Sequence, residues 1–368
     1  MKDGKKSINN VNKNDSKNKC RAALRQGPGK MECKTITKPE LQEGKVLVKI
    51  LHVGICGSDI ARVRDIDKKW DKVVLGHEAV GEVEEISKST STGSLLKKGD
   101  KVAIIPLVPC KKCYFCMKGM YSSCQNYSFI GSRVNGALSD YLMVDPINLL
   151  KLPDDDEVEK YTFLEPLTVA LHAVYKTDIR FGKSATVFGA GTIGLLMFQL
   201  LNNRTSYKVV MADIDEFKLA IARKIGSVHN VNLTCESIES YIRRNISVNG
   251  SDEVYEVSGA NEAKKSAINL VRPGGSIILV GSSNRDISFD SKTFELITRK
   301  ELKLIGSWMS YSSPFPGNEW SSGVEILKKG LIDTKSLISH RFKLKDIGNA
   351  FNMITGNTEK YCKVIIDI

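Results

Sequence analysis

Four cysteines lie close together in the segment PCKKCYFCMKGMYSSC. They are Cys110, Cys113, Cys116 and Cys124, at the spacing C-x2-C-x2-C-x7-C. Thiolates this close in sequence can converge tetrahedrally on one Zn²⁺, and four of them leave no open coordination position. The spacing therefore predicts a structural zinc site rather than a catalytic one. Scattered free thiols and an iron–sulfur cluster are the alternatives.

A second set of candidate metal ligands is dispersed along the chain. Cys56 follows an apolar run, His77 stands in LGHEAVGEV, and Glu165 is the only acid in TFLEPLTVALHAV. A buried carboxylate must be hydrogen-bonded, paired, protonated or bound to a metal, because an unpaired buried charge is too costly. Three protein ligands plus an open position are typical of catalytic zinc. We therefore predict that Cys56, His77 and Glu165 bind a catalytic zinc ion, with a capped or paired structural carboxylate as the alternative.

Three polar residues beside these ligands acquire candidate catalytic roles. Asp59 is placed to accept the second ring N–H of His77 and so to fix its tautomer. Ser58, two residues after Cys56, is placed to pass a proton between the metal-bound oxygen and the cofactor. Glu78 follows His77 directly and is predicted to support the site or to bind the metal transiently.

A glycine-rich turn in ATVFGAGTIGLL predicts a dinucleotide site. Gly189, Gly191 and Gly194 follow an apolar strand and open a helix that also contains Ile193. Glycines at this spacing allow a tight turn and close approach of the backbone to a pyrophosphate at the helix N-terminus. A glycine turn that serves packing alone is the alternative.

The next predicted strand, KVVMAD, ends in an acid. Asp213 lies where a carboxylate hydrogen-bonds the ribose hydroxyls and repels a 2′-phosphate. The position favours NAD over NADP, and Lys218 is placed to reach the same ribose.

Composition sets the broad class of protein. The chain has 368 residues, 42% hydrophobic and 26% charged, which is enough for two globular domains. The net charge of +12 is not arranged as a basic stripe interleaved with aromatics, so no nucleic acid partner is expected.

Residues 1–19 are rich in Lys and Asn and are predicted to form a disordered basic tail. Nine cysteines without a secretory signal indicate a reducing compartment, the cytoplasm.

The order of predicted elements gives the domain organisation. Residues 20–172 read as β-rich, with the cysteine lobe at about residues 108–126. In residues 173–308 predicted strands alternate with predicted helices, which indicates a doubly wound parallel sheet. This alternation is not continued in residues 309–368. The uncharged run Ser184–Asn203 contains the glycine turn, so it is predicted to be a strand and a helix rather than a membrane span. The predicted fold is α/β, with the doubly wound domain inserted in the β-rich domain.

These residues together resemble the zinc-containing medium-chain dehydrogenase/reductase family, and FLEPLTVALHA resembles its polyol branch. The resemblance implies a GroES-like catalytic domain, a Rossmann domain, two zinc ions and NAD per subunit, a small polyol as substrate, no membrane partner, and a homodimer or homotetramer. The segments IGSR and IGSWMSYSSPFPGNEW resemble dehydrogenases of hexitol phosphates within that branch. The family also implies that four residues line the cofactor cleft: Val280, Gly281, Ser282 and Trp308.

A phosphorylated substrate would need a cation, and Arg133 is the predicted one. It sits in a glycine-flanked turn where the backbone can approach a ligand closely. Pairing with a surface acid is the alternative role for this residue. Two other functions stay open from the sequence: a dehydrogenase of unphosphorylated polyols, and a non-catalytic protein that binds zinc and nucleotide.

Overall fold

The computed structural model describes residues 18–89, 96–178, 182–204, 208–283 and 285–368. Its strands are β1 (Lys19–Arg25), β2 (Met31–Thr37), β3 (Val46–Gly54), β4 (Glu78–Ile86), β5 (Lys101–Ile104), β6 (Leu107–Val108), β7 (Ser128–Phe129), β8 (Tyr141–Val144), β9 (Leu149–Lys151), β10 (Ser184–Phe188), β11 (Lys208–Asp213), β12 (His229–Asn232), β13 (Ser251–Glu256), β14 (Val271–Leu279), β15 (Lys303–Gly306), β16 (Ile338–Lys343) and β17 (Lys363–Asp367). Its α-helices are α1 (Gly57–Arg64), α2 (Tyr114–Met117), α3 (Leu164–Val174), α4 (Thr192–Arg204), α5 (Glu216–Lys224), α6 (Ile238–Asn245), α7 (Asn261–Leu270), α8 (Ser291–Arg299), α9 (Asn318–Lys328) and α10 (Ile347–Gly356).

The first unit is built on a sheet whose strands come from both ends of the chain. Its order is β16-β17-β3-β4-β5-β9, and β8 pairs with β3. Strand β17 lies between β16 and β3, pairing parallel with the former and antiparallel with the latter. The β-rich unit is therefore completed only by residues that follow the second unit in the sequence.

The second unit is a parallel sheet in the order β12-β11-β10-β13-β14-β15. Numbered within the unit, this order is 3-2-1-4-5-6, the doubly wound arrangement that binds dinucleotides where the order reverses. The predicted Rossmann domain is confirmed. The uncharged run from residue 184 to 203 forms β10 and α4, and none of the described helices is long and apolar enough to cross a membrane.

Two predicted domain boundaries need correction. Residues 1–17 of the predicted tail lie outside the described part of the chain, but Asn18 accepts a hydrogen bond from Lys38 N and Lys19 begins β1. Strand β1 therefore begins one residue before the predicted boundary at residue 20. The boundary between residues 172 and 173 falls inside the last turn of α3, so the first unit continues to the end of that helix.

Helix α3 joins the cores of the two units. Leu164, Leu167 and Leu171 are fully buried in one apolar cluster that also includes Leu195 of α4 and Trp320 of α9. The packing against α9 is close, because a Cβ on Gly323 would lie 2.6 Å from Leu164 Cδ1. This helix is thus held on both sides, and the acid in its first turn is held with it.

Candidate active site

The metal-ligand set is assembled by the pairing of β3 with β4. Gly54, the last residue of β3, lies opposite Glu78, the first residue of β4. Cys56 follows as the N-cap of α1, and His77 directly precedes β4. The Cys56 sulfur, a His77 ring nitrogen and a Glu78 carboxylate oxygen all lie within 4.8 Å of one another. Sulfur, imidazole and carboxylate are ligands that suit Zn²⁺.

The structure places Glu78, rather than Glu165, in this closest group of ligand atoms. Glu165 lies near enough for its charge to interact with His77 and Glu78, but its carboxylate is outside the 4.8 Å group. Binding of the metal by Glu165 therefore stays a prediction. Glu78 had been expected only to support the site, and its position makes it a candidate ligand in its own right.

The surroundings of Glu165 indicate which state its carboxylate adopts: hydrogen-bonded, paired, protonated or bound to a metal. Burial, reinforced by the nearby Glu78, raises the pKa of Glu165 to about 7, although His77 and Lys363 act in the opposite direction. Within the described part of the chain, no group hydrogen-bonds this carboxylate, so it is neither capped nor bonded to a cation in the structure. The Glu165 carboxyl group is therefore either protonated or stabilised by a cation that binds at the site. A metal ion would be such a cation.

Glu78 has a partner that sequence reasoning missed. Lys363, the first residue of β17, forms a buried ion pair with Glu78 and also reaches the carbonyl oxygen of Ile55 at 3.4 Å. A Cβ on Gly54 would lie 2.5 Å from Glu78 Oε2, so only glycine leaves room for the pair. The available signal was a lysine at the start of the apolar run VII in β17, comparable to the acid in the apolar segment around Glu165.

Asp59 lies beside the His77 imidazole, but His77 Nδ1 has no hydrogen-bond partner within the described residues, so the fixing of its tautomer by Asp59 stays a prediction. Asp59 Oδ1 lies 3.5 Å from His77 Nδ1, and Asp59 Oδ2 accepts the backbone N–H of Cys56 at 3.3 Å. Burial alone would lower the pKa of His77, but Asp59 and Cys56 together hold that pKa well above its usual range. The pocket therefore attracts positive charge strongly, as a cation site should.

Ser58 and an arginine that the sequence analysis did not single out lie beside the sulfur ligand. The Ser58 hydroxyl donates to Cys56 Sγ at 3.4 Å, and its role in proton transfer stays a prediction. Arg62, one turn along α1, donates from Nη1 to Ser58 Oγ at 2.8 Å and to Asp59 Oδ1 at 3.3 Å.

The four-cysteine lobe has the geometry of a closed zinc site. The sulfur atoms of Cys110, Cys113, Cys116 and Cys124 lie within 4.8 Å of one another, with two separations of 4.0 Å. A tetrahedron with Zn–S bonds of about 2.3 Å has edges of roughly 3.8 Å, so one ion fits between them. Backbone N–H groups of Cys116 and Gln125 lower the pKa of Cys113 to about 6, which favours the thiolate.

The dinucleotide turn has the predicted form. Gly189 has a φ of +103°, and a Cβ on Gly194 would lie 1.8 Å from Gly189 O, so both positions require glycine. A Cβ on Gly191 would meet nothing within 4 Å, so open space lies beside the backbone where a pyrophosphate is expected. Ile193 packs against the core shared by the two units.

Asp213 ties this turn to the next strand. Its two carboxylate oxygens accept the backbone N–H of Ala190 at 2.6 Å and of Asp215 at 2.9 Å. A carboxylate has about four acceptor positions, so capacity remains for two ribose hydroxyls. Lys218 lies in α5, close enough to Asp213 that both act on the same Cys362 thiol.

The other predicted cofactor residues lie at the carboxyl edge of the parallel sheet. Val280 and Gly281 follow β14, and their N–H groups both donate to Glu256 O at 2.9 Å. Ser282 comes next, and its carbonyl oxygen would lie 2.3 Å from a Cβ on Gly259. Trp308, just after β15, exposes 57% of its surface at this edge.

Arg133 is not brought into the metal-ligand set. It is exposed, its guanidinium stacks 3.8 Å above the Tyr127 ring, and its Nη1 donates to Tyr127 O at 2.5 Å. Among the described residues, no acid pairs with Arg133, which was the alternative role. Its predicted contact with substrate remains a prediction.

The fold and the two cysteine-containing sets define a zinc-containing dehydrogenase built from a GroES-like and a Rossmann domain. Comparison with known families agrees: residues 42–154 match the alcohol dehydrogenase GroES-like domain, and residues 192–328 match the zinc-binding dehydrogenase domain. The chain belongs to the zinc-dependent alcohol and polyol dehydrogenases and is an oxidoreductase that acts on CH–OH groups. The non-catalytic alternative is thereby set aside.

Individual relatives are polyol enzymes. Galactitol 1-phosphate 5-dehydrogenase of Escherichia coli strain K12 is 35% identical over 323 residues, covering 87% of this chain and 92% of that protein. D-xylulose reductase of Saccharomyces cerevisiae is 31% identical, covering 94% of this chain and 97% of that protein. The crystal structure of galactitol-1-phosphate dehydrogenase from Escherichia coli matches with a TM-score of 0.86 at 34% identity, covering 95% of this chain and all of that one.

The first prediction concerns metal content. Protein purified with zinc should contain two zinc ions per chain by elemental analysis, one for each ligand set. Cys116→Ser should lose one ion and lower the thermal midpoint by roughly 5 °C or more, because it opens a structural site. Cys56→Ser, the matched control, should lose the other ion with a smaller loss of stability. One ion or none in the unmodified protein would contradict the two-site assignment.

The second prediction concerns Glu165. Glu165→Ala should reduce kcat/KM by roughly 100-fold or more, because either a metal ligand or the acid facing the reacting group is lost. Competition with a chelator should show weaker zinc binding if Glu165 is a ligand and unchanged binding if it contacts substrate alone. A near-normal rate in this variant would remove Glu165 from the site altogether.

Proposed function

We propose that this protein is an NAD-dependent polyol dehydrogenase that oxidises galactitol 1-phosphate to tagatose 6-phosphate. One observation carries the core of the proposal. Two consecutive residues connect the two halves of the site: Lys363 pairs with Glu78 of the metal-ligand set, and the Cys362 thiol interacts electrostatically with Lys218 and Asp213 of the dinucleotide site. The metal-ligand set and the dinucleotide turn are therefore neighbours, as hydride transfer requires.

The bridging segment also ties the two units together outside the site. Lys360 Nζ lies 3.2 Å from Asp215 Oδ2, at the start of α5. The segment that completes the sheet of the first unit thus contacts the ribose end of the dinucleotide site. Its position supports a single cleft that holds both the cofactor and the substrate.

Each side chain at the site then has a defined task. When bound, zinc supplies Lewis acidity at the substrate hydroxyl and NAD accepts the hydride. Asp59 fixes the tautomer of His77, and Lys363 holds Glu78 in its orientation. Ser58 receives the proton that the substrate hydroxyl releases. Glu165, in the first turn of α3, adds a further carboxylate near His77 and Glu78.

The identity of the polyol is supported by the relatives. The 35% identical enzyme is named for galactitol 1-phosphate, which favours a phosphorylated hexitol here. The 31% identical D-xylulose reductase supports the second candidate, a dehydrogenase of unphosphorylated polyols. Assembly as a homodimer or homotetramer is part of the proposal and can be read from light scattering.

Steady-state assays with a panel of polyols test the substrate. Formation of NADH from galactitol 1-phosphate should exceed that from galactitol, sorbitol and xylitol by roughly 100-fold in kcat/KM, the scale of one strong charge-assisted contact. Identification of tagatose 6-phosphate as the product checks which carbon is oxidised. Higher kcat/KM for sorbitol or xylitol would establish the second candidate instead. If the protein oxidises none of these polyols, both candidate functions are excluded.

Cofactor preference provides a separate prediction. The wild-type protein should prefer NAD, because Asp213 repels a 2′-phosphate and hydrogen-bonds the ribose. Asp213→Ala should lower the ratio of kcat/KM with NAD to that with NADP by roughly 10- to 100-fold. Asp215→Ala is the matched control, since that acid caps α5 and pairs with Lys360. A wild-type preference for NADP would refute the role of Asp213.

A further inference from the structure

Arg62 is the guanidinium that lies nearest to the metal-ligand set, separated from it by a single hydroxyl group. Its Nη1 donates to Ser58 Oγ at 2.8 Å, and that oxygen lies 3.4 Å from Cys56 Sγ. A polyol whose reacting hydroxyl is at the metal-ligand set extends several carbon atoms away from it. A charged group at the far end of such a substrate can therefore reach Arg62.

Part of the Arg62 guanidinium is available to a ligand. In the described chain, its Nε and Nη2 groups make no hydrogen bond to protein, and the side chain is 21% exposed. Asp59, its acidic neighbour, is fully buried and is already engaged by His77 and the Cys56 N–H. The acid therefore holds one edge of the guanidinium while the other edge faces outward.

Arg62 is also held in a fixed position. The guanidinium lies 5.6 Å from the centroid of the Trp70 ring, and Trp70 Nε1 donates to Asp65 Oδ2 at 3.0 Å. Trp70 belongs to a short 3₁₀ helix, Lys68–Lys72, whose three lysines lie beside three acids, Asp65, Asp67 and Asp71, so this segment adds no net positive charge. A guanidinium with a fixed plane and a free edge suits the oxygens of a phosphate group better than a mobile ammonium does.

The other cations near the site are already committed. Lys363 is buried and paired with Glu78, and Arg133 stacks on Tyr127. Arg25 is buried and bonded to Asp71 and to backbone carbonyl oxygens. We propose that Arg62 binds the phosphate of the substrate and so selects phosphorylated over unphosphorylated polyols. This inference rests on the proposed function, and it assigns to Arg62 the role first predicted for Arg133.

Substrate preference in four proteins tests the proposal. For the wild type, Arg62→Ala, Arg62→Lys and Arg64→Ala, kcat/KM is measured with galactitol 1-phosphate and with galactitol. The ratio of the two values should fall by roughly 10- to 100-fold in Arg62→Ala, mainly through KM, and partly recover in Arg62→Lys. Arg64 lies on the same helix and bonds to the carbonyl oxygens of Ile354 and Thr355, so its variant should keep the wild-type ratio.

A binding measurement provides a readout that does not depend on turnover. Calorimetric titration of zinc-loaded protein without dinucleotide should show weaker binding of galactitol 1-phosphate to Arg62→Ala than to wild type, and inorganic phosphate should compete. An unchanged ratio and affinity in Arg62→Ala would overturn the inference while the proposed function stands. Loss of the ratio in Arg133→Ala alone would return the role to Arg133. A wild type without preference for the phosphorylated polyol would overturn the proposed substrate and this inference together.

Discussion

Burial of negative charge is the constraint around which the active site is organised. Asp59 and Glu78 are buried, and the partly buried Cys56 and Glu165 lie in the same region. Leaving one such group unpaired costs several kcal/mol, about 3–5 kcal/mol for a broken buried ion pair. His77 and Lys363 balance part of this charge, and the remainder is what gives the pocket its affinity for a divalent cation. This excess of acidic groups suits a divalent cation such as zinc.

The elements that deliver these groups are stiff because they are also the packing core. The antiparallel β3–β4 pair brings Cys56 next to His77 and Glu78, and glycine at position 54 admits the Glu78–Lys363 pair. Helix α3 carries Glu165 while its leucines fill the cluster shared by the two units. A catalytic group on such an element keeps its position closely, which is what alignment of a hydroxyl with a nicotinamide ring demands.

Features encoded by short spacing could be predicted from the sequence, and features encoded by long-range pairing could not. The residues of the cysteine lobe lie close together in the sequence, and so do those of the glycine turn. The chemistry of both could therefore be predicted. Glu78 and Lys363 are 285 residues apart, and nothing local shows that they meet. The same limit explains why Glu165 was grouped with Cys56 and His77 although Glu78 lies closer. Strand β12, with the sequence HNVN, has no apolar alternation, so a short polar edge strand of this kind gives little signal in the sequence.

The place of β17 in the sheet has a consequence for biosynthesis. During translation, Cys56, His77 and Glu78 leave the ribosome long before Lys363, and the whole Rossmann unit is made in between. Until β17 inserts between β16 and β3, residues 52–54 of β3 lack their strand partner and Glu78 lacks its ion-pair partner. Domains generally fold as units during synthesis, and contacts distant in sequence form late. The nascent chain therefore passes through a stage with an assembled nucleotide domain and an unfinished metal centre, in which early-made thiols and an unpaired strand edge depend on chaperones for protection.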